Sequence, residues 1–297
     1  MGCIDQVKDT LSKAVFTPSS LLTGRGGLHM AQIVVSFLTF LLGCFRGGSA
    51  HTYWNYAMFS WAFCPIITLI ITVIETFLLH ILLKVCMDWD DFTTGMAMTS
   101  SLMTISSAIT YANFYACSSC IYGWIVSVFA FLCGFLYLLE VVKDKCLDKK
   151  TGVYLSALPG FWKVLEAFVS CMLFVSITGY RNSVALTFCL IAYIIPFPIL
   201  LLIIPVNILK ILRTCLPFNL DRVVFIFLVI SVVLYIIAAI VWPIYVFRNN
   251  PRPNDCPPSF CLWAIQFMVT FFTYVNLILF TLDLIFTLFG ICNFKRS

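Results

Sequence analysis

Charged residues are scarce in this chain: Asp, Glu, Lys and Arg make up 10% of its 297 residues, whereas hydrophobic residues make up 62%. A soluble domain carries about 25% charged residues, so the composition excludes the water-soluble classes. Histidine is scarce too, and His29, His51 and His80 are scattered along the chain. The sequence has no Gly-x-Ser-x-Gly elbow, no phosphate-cradling glycine loop and no Asn-x-Ser/Thr sequon. These absences argue against an enzyme and against N-glycosylation, and we expect no catalytic residue, metal site or cofactor.

The sequence contains long runs of apolar residues. A helix needs about 20 mostly apolar residues to span a bilayer, and the hydropathy pattern offers runs of about this length eight times. Within hydrocarbon every backbone amide must be bonded internally, so we predict that these runs are helices. The sequence thus predicts an all-α integral membrane protein with eight transmembrane helices, at residues 28–45, 58–83, 92–116, 121–142, 161–179, 184–208, 223–247 and 262–289.

The basic residues predict the orientation of these spans. If both termini face the cytosol, most of the Lys and Arg residues outside the spans lie on that side. The opposite side keeps only four, as the positive-inside rule expects: Arg46, Arg181, Arg248 and Arg252. We therefore predict two cytosolic termini. The net charge of +5 follows from this topology and does not indicate nucleic acid binding.

The first 27 residues are polar and lack the apolar core of a cleavable signal peptide. The first span is therefore expected to direct insertion. Four apolar residues in this segment recur at helical spacing, which favours a short amphipathic helix on the inner leaflet over a disordered tail: Ile4, Val7, Leu11 and Val15.

The cysteines form two groups on this topology. Cys117 and Cys120 share one loop on the oxidising side, where disulfides persist, and Cys256 and Cys261 share another. Both pairs are disulfide candidates, and the second pair has the better spacing for a bridge. A second group lies at the cytosolic rim beside basic residues, where reversible acylation and unmodified thiols are both consistent with the sequence: Cys3, Cys86, Cys146, Cys215 and Cys292.

The two halves of the sequence repeat a pattern of polar residues. Spans one and five open with three such residues at the same spacing: His29, Gln32 and Ser36 in one, and Lys163, Glu166 and Ser170 in the other. Glu140 in span four corresponds to Asp283 in span eight, and the two cysteine pairs occupy equivalent loops. Two units with four spans each would be parallel repeats related by an axis along the membrane normal.

Tandem four-helix units with this basic-x-x-Gln/Glu opening and a closing acid resemble a double MARVEL domain. Three stretches are similar to the myeloid-associated differentiation marker proteins: 55–64 (NYAMFSWAFC), 73–75 (VIE) and 151–166 (TGVYLSALPGFWKVLE). The resemblance covers about residues 25–292. The expected organisation is a cytosolic segment at 1–27, a first MARVEL-like unit at 28–142, a linker at 143–160, a second unit at 161–292 and a tail at 293–297.

This resemblance implies a non-enzymatic organiser of ordered, raft-like membrane domains, at the plasma membrane and related vesicles. It also implies links to membrane traffic and to the cortical cytoskeleton or junctions. The expected partners are membrane lipids, with cholesterol as a candidate, other membrane proteins or further copies of the chain, and cortical proteins. A small-solute transporter or channel is the alternative.

Five charged residues fall within the predicted spans, towards their cytosolic ends: Glu75, Glu140, Lys163, Glu166 and Asp283. Charged groups are costly in hydrocarbon and are functional candidates by default. Two interpretations of this polar layer stay open, packing contacts that fix helix register and a latch that responds to partners. Lys163 and Glu166 lie three residues apart on one helix face and can pair.

Three further patterns concern packing. Span three is rich in Ser and Thr, with Gly95, Ala97 and Ala108, which favours an interior packing helix over a solute path. Span six carries Pro196, Pro198 and Pro205, which predict structural kinks. Aromatic residues at the start of span two predict a belt at the outer interface: Tyr53, Trp54, Tyr56, Phe59 and Trp61.

Overall fold

The computed structural model describes residues 24–45, 52–116, 120–146, 158–177, 184–209, 220–248, 250–254 and 261–294. These residues form α-helices and contain no strand. In chain order the helices are α1 (Gly24–Phe45), α2 (Thr52–Thr76), α3 (His80–Cys86), α4 (Trp89–Tyr115), α5 (Ile121–Cys146), α6 (Leu158–Ser176), α7 (Val184–Ile194), α8 (Pro196–Ile208), α9 (Leu220–Phe247) and α10 (Leu262–Phe294).

Six stretches of the described chain are long and apolar enough to cross a membrane: Gly24–Phe45, Thr52–Thr76, Ile121–Lys143, Val184–Ile208, Leu220–Phe247 and Leu262–Phe289. The chain is therefore a multi-pass, all-helical membrane protein. Helices also form at predicted spans three and five, as α4 and α6, but they are not among the six. α4 carries Asp90, Asp91 and a row of hydroxyls, and α6 carries Lys163 and Glu166 in only 19 residues. The count of eight spans in two repeats remains a prediction.

The chain divides into two compact units: α1–α5 form one, and α6–α10, without the last residue of α8, form the other. In the first unit α1 packs on α2 and α5, while α4 packs on the same two helices, so the four close into a bundle. In the second unit α6 packs on α10, α10 on α9, and α9 on α7. In both units the opening helix therefore lies against the closing one.

Predicted span two does not continue to residue 83 as a single helix. Instead, α2 ends at Thr76 and α3 begins at His80. The Leu79 amide donates to the Ile74 carbonyl at 3.0 Å and the Leu78 amide to the Glu75 carbonyl at 3.1 Å, while Leu78 has a φ of 55°. This is the Schellman geometry that normally ends a helix on glycine. A leucine in this position gave no stop signal in the sequence.

Span six is interrupted at Ile195, beside the prolines that predicted a kink. α7 ends at Ile194, and α8 begins at Pro196, which is a position that proline tolerates because it has no amide hydrogen to leave unpaired. Pro205 lies inside α8.

The prediction that the aromatic residues of span two form an interfacial belt is wrong for most of them. Phe59 is exposed, but Tyr53, Tyr56 and Trp61 are buried inside the first unit. Trp61 packs against Tyr111 with ring centroids 5.2 Å apart, so these aromatics serve the core.

α4 is the interior packing helix that its composition predicted. Most of its small and hydroxyl residues are buried, and many hydroxyls bond to the helix's own backbone, as Thr104 does to the Ser100 carbonyl at 2.7 Å. Tyr56 and Ser106 join α2 to α4 through a hydroxyl contact of 2.7 Å. Small residues also let α4 and α5 approach closely. A methyl group added at Gly134 would lie 2.8 Å from Ile105 Cγ1 and 3.3 Å from its backbone.

Candidate functional site

A buried carboxylate joins the first and last helices of the first unit. Glu140 of α5 is 5% exposed. His29 Nε2 lies 2.8 Å from Glu140 Oε1, and Gln32 Nε2 donates to Glu140 Oε2 at 2.8 Å. His29 and Gln32 lie one helical turn apart, so α1 presents both to the same carboxylate. We call His29, Gln32 and Glu140 the first clamp.

The second unit has a cluster at the corresponding positions. Lys163, Glu166 and Asp283 are all 2% exposed or less. Lys163 Nζ donates to Asp283 Oδ2 and also to Glu166 Oε2, the latter at 3.3 Å. The predicted pairing of Lys163 with Glu166 is therefore confirmed. We call these three residues the second clamp.

The two clamps are continued by matching contacts deeper in each unit. One turn beyond Gln32, the Ser36 hydroxyl lies 2.8 Å from Cys133 Sγ. The equivalent Ser170 accepts a bond of 2.9 Å from Asn276 Nδ2. Cys133 and Asn276 each lie seven residues before the clamp carboxylate, so the contacts follow one face of the closing helix.

Further hydrogen bonds attach the middle helices to these clamps. Tyr137, one turn before Glu140, shares a 2.9 Å hydroxyl contact with Thr68 of α2. In the second unit, Asn276 donates to the Tyr235 hydroxyl of α9 at 2.8 Å, while Tyr193 of α7 contacts Thr273 at 2.9 Å. The network of the first unit therefore reaches three helices, and that of the second unit reaches four.

We expect Tyr137→Phe to lower the free energy of unfolding by about 0.6 kcal/mol, with about 1.7 kcal/mol as the upper bound, because hydrogen bonds between membrane helices have values in this range. The ring stays, and the second unit has Phe280 at the equivalent position. Thr68 keeps its bond to the Cys64 carbonyl at 3.0 Å. Denaturant unfolding of the purified protein in mixed micelles measures the change. A loss above about 2 kcal/mol would show that the hydroxyl does more than join the two helices.

The relatives of the chain agree with the resemblance seen in its sequence. Myeloid-associated differentiation marker-like protein 2 of Xenopus laevis is 31% identical over 295 residues, which cover 94% of this chain and 97% of the relative. The chain belongs to the myeloid-associated differentiation marker family. The Bos taurus marker-like protein 2 is 30% identical over 87% of this chain and 89% of its own length, and the human myeloid-associated differentiation marker is 27% identical over 91% and 89%. No family model and no solved structure matches the chain.

The five residues of the predicted polar layer lie in three separate places in this family member. Glu140 belongs to the first clamp, and Lys163, Glu166 and Asp283 form the second. Glu75 belongs to neither clamp. It lies at the end of α2 with its side chain 25% exposed, 4.0 Å from Arg25 and 3.3 Å from the Trp89 indole nitrogen.

Two residues of the first clamp were missing from the predicted layer. Neither His29 nor Gln32 is an Asp, Glu, Lys or Arg residue, and both stand out in the sequence only as members of the repeat. Their signal was already present in the repeat, because His29 aligns with Lys163 and Gln32 with Glu166. Two aligned positions that meet a carboxylate in one unit should meet one in the other.

The predicted cysteine sites are only partly within the described residues. Cys120 and Cys261 precede α5 and α10 and are not among the free cysteines, but Cys117 and Cys256 lie outside the described residues, so both pairings stay predictions. Of the acylation candidates, Cys86 and Cys146 end α3 and α5, and Cys292 lies in the last turn of α10. Cys3 and Cys215 lie outside the described residues.

Proposed function

We propose that this family member organises ordered, thicker regions of membrane and catalyses no reaction. The observation that carries the proposal is the length of its apolar helices. The spans Leu220–Phe247 and Leu262–Phe289 have 28 residues each, or about 42 Å at about 1.5 Å per residue. An average hydrocarbon core is about 30 Å thick, and sterol-rich plasma membrane is a few Å thicker.

The exposed side chains support the same preference. Large apolar residues are exposed on α10 from Leu262 to Phe289, a distance of about 40 Å along the helix. On α9 they are exposed from Val223 to Tyr245, or about 33 Å. Bilayers adapt to long apolar helices by local thickening, or the helices tilt. A bundle with such faces has a smaller free-energy cost of hydrophobic mismatch where the membrane is already thick.

The interior of the first unit favours an organiser over a transporter. The clamp side chains bond to one another, and many hydroxyls of α4 bond to the backbone of that helix. The polar pocket beside the clamp has a volume of about 10 Å³ and is lined in part by His29, Thr68, Ser100, Tyr137 and Glu140. This space suits about one water molecule and no larger solute.

Acylation would strengthen the preference for ordered membrane. Each buried CH₂ group of an acyl chain contributes about 0.8 kcal/mol to membrane binding, and saturated chains pack well among ordered lipids. In this proposal the rim cysteines carry such chains, the two loop cysteine pairs are bridged, and both termini face the cytosol at the plasma membrane. The partners are then membrane lipids including cholesterol, other membrane proteins or copies of the chain, and cortical proteins that link to traffic and junctions.

Phase partitioning in vesicles shed from the plasma membrane tests the proposal. We expect a tagged wild-type chain to be enriched in the ordered phase, and a variant with Ser at all five rim cysteines to shift towards the disordered phase. The variant Cys44→Ser/Cys171→Ser is the matched control, because both thiols are free and exposed on helices but lie away from the rim. Exclusion of the wild type from the ordered phase, or an equal shift in the control, would contradict the proposal.

A further inference from the structure

The hydrogen bonds of His29 fix the number of protons in the first clamp. The Thr72 hydroxyl has one proton, and it donates this proton to the Thr68 carbonyl at 2.7 Å. Thr72 Oγ1 therefore offers a lone pair to His29 Nδ1, 3.2 Å away, and we assign the hydrogen of this contact to Nδ1. The other ring nitrogen faces the Glu140 carboxylate at 2.8 Å, and this contact needs a hydrogen too.

The first clamp thus holds one proton more than a neutral imidazole beside an ionised acid. The pair is electrically neutral with this proton and carries a buried negative charge without it. An unpaired charge in a buried site is strongly unfavourable. Among the described residues, the other titratable or charged groups facing the clamp are Tyr137, across the small pocket, and Arg25, whose charge acts on Glu140.

Charge balance gives the same result for the second clamp. Lys163 supplies one positive charge, whereas Glu166 and Asp283 would supply two negative charges if both were ionised. Tyr235 of α9 is the other titratable group whose charge acts on this site, and Phe227 lies under Lys163 with its ring centroid 5.7 Å from Nζ. Neither of these supplies a positive charge, so with the charges of the described residues the cluster is neutral only when one carboxyl is protonated.

The repeat identifies the carboxyl that holds the proton. In the first clamp, Gln32 occupies the position of Glu166 and donates an amide hydrogen to Glu140. Glu166 lies within hydrogen-bonding reach of Asp283, and as a carboxylic acid it donates a hydroxyl hydrogen in the same way. Glu166 Oε1 has no hydrogen-bond partner among the described residues, which is tolerable for a neutral carbonyl oxygen and costly for half of a carboxylate.

We propose that each unit binds one proton inside its clamp, at the His29–Glu140 pair in the first unit and at Glu166 in the second. Each of these residues has a counterpart at the aligned position of the other unit: Lys163 for His29, and Gln32 for Glu166. At neutral pH an exposed Glu is ionised and an exposed His is mostly uncharged. The closed clamps therefore hold protons that opened, hydrated clamps release, and closure weakens as pH rises.

Infrared spectroscopy of the protein in lipid bilayers tests the second site without relying on stability. We expect the wild type to show the C=O stretching band of a protonated carboxylic acid at neutral pH, and to lose this band at alkaline pH. Glu166→Gln should lose the part of the band that Glu166 contributes. A wild type without the band, or a Glu166→Gln variant that retains all of it, would overturn the assignment.

Thermal unfolding across a pH series tests both sites together. Each proton should change the closed-to-open ratio by up to tenfold per pH unit in the range where it is lost. Wild type should therefore become less stable as pH rises, whereas His29→Lys/Glu166→Gln, which installs the counterpart of each residue, should show a flat profile. His80→Gln, at a histidine outside both clamps, should keep the wild-type slope. Equal slopes in the wild type and the double variant would refute the proposal.

Discussion

Asp283→Ala is expected to lower the free energy of unfolding by about 3–5 kcal/mol, the largest effect predicted for a single substitution in this protein. The change removes the carboxylate that accepts from Lys163 while the ammonium group stays buried. Removing one partner of a buried ion pair is strongly destabilising, and Glu166, 3.3 Å from Lys163 Nζ, compensates the ammonium only after it gives up the proton that it holds. Denaturant unfolding of the purified protein, followed by circular dichroism, measures the loss.

Two variants give this prediction its controls. Glu75→Gln removes a partly exposed acid that lies 4.0 Å from Arg25, and we expect a change of only about 0–1 kcal/mol. Lys163→Met/Asp283→Leu removes both buried charges and should recover most of the stability, since apolar replacements of a buried pair are often neutral or stabilising. If the double variant were as unstable as Asp283→Ala, the ion pair itself would be essential and more than a packing contact.

Gly134→Leu is expected to cost at least about 3 kcal/mol, above the usual range for an overpacked core. The first carbon of the new side chain would already lie 3.3 Å from the Ile105 backbone, and backbone cannot rotate away as a flexible side chain can. The variant must therefore push α4 and α5 apart, and we expect a lower unfolding midpoint together with a lower yield of monodisperse protein.

Gly27→Leu is the matched control for this effect. Gly27 also lies in a helix, but no atom lies within 4 Å of the position where its side chain would begin. Here we expect no loss, and a gain of up to about 1 kcal/mol from the higher helix propensity of Leu. A Gly134→Leu variant as stable as Gly27→Leu would show that α4 and α5 do not need their close approach.

Local patterns predicted much of this architecture because hydropathy, proline and small residues act on their own helix. The apolar runs gave the helices, Pro196 gave the break between α7 and α8, and the hydroxyls of α4 gave its buried position. The break after Thr76 was not predictable in this way, because Leu78 takes a left-handed conformation that leucine seldom adopts. Its cause lies in the backbone bonds around it and not in its own side chain.

The candidate site was predictable only where the repeat carried the information. Hydropathy singles out charged residues within spans, so it found Glu140, Lys163, Glu166 and Asp283. Neutral or weakly polar residues such as Gln32 do not stand out by charge. Their role depends on which helix lies opposite, and that is a property of packing. Glu75 shows the converse case, since its charge drew attention but it lies at a partly exposed helix end.

The preference for thick membrane is tested most directly by energy transfer between donor- and acceptor-labelled copies of the purified protein. The copies would be reconstituted in bilayers of graded acyl-chain length. Hydrophobic mismatch drives membrane helices to associate, so energy transfer should be lowest where bilayer thickness matches the apolar helices. We predict that this minimum falls in bilayers thicker than the average of about 30 Å. A minimum in thin bilayers, with association rising as the bilayer thickens, would contradict the proposed function.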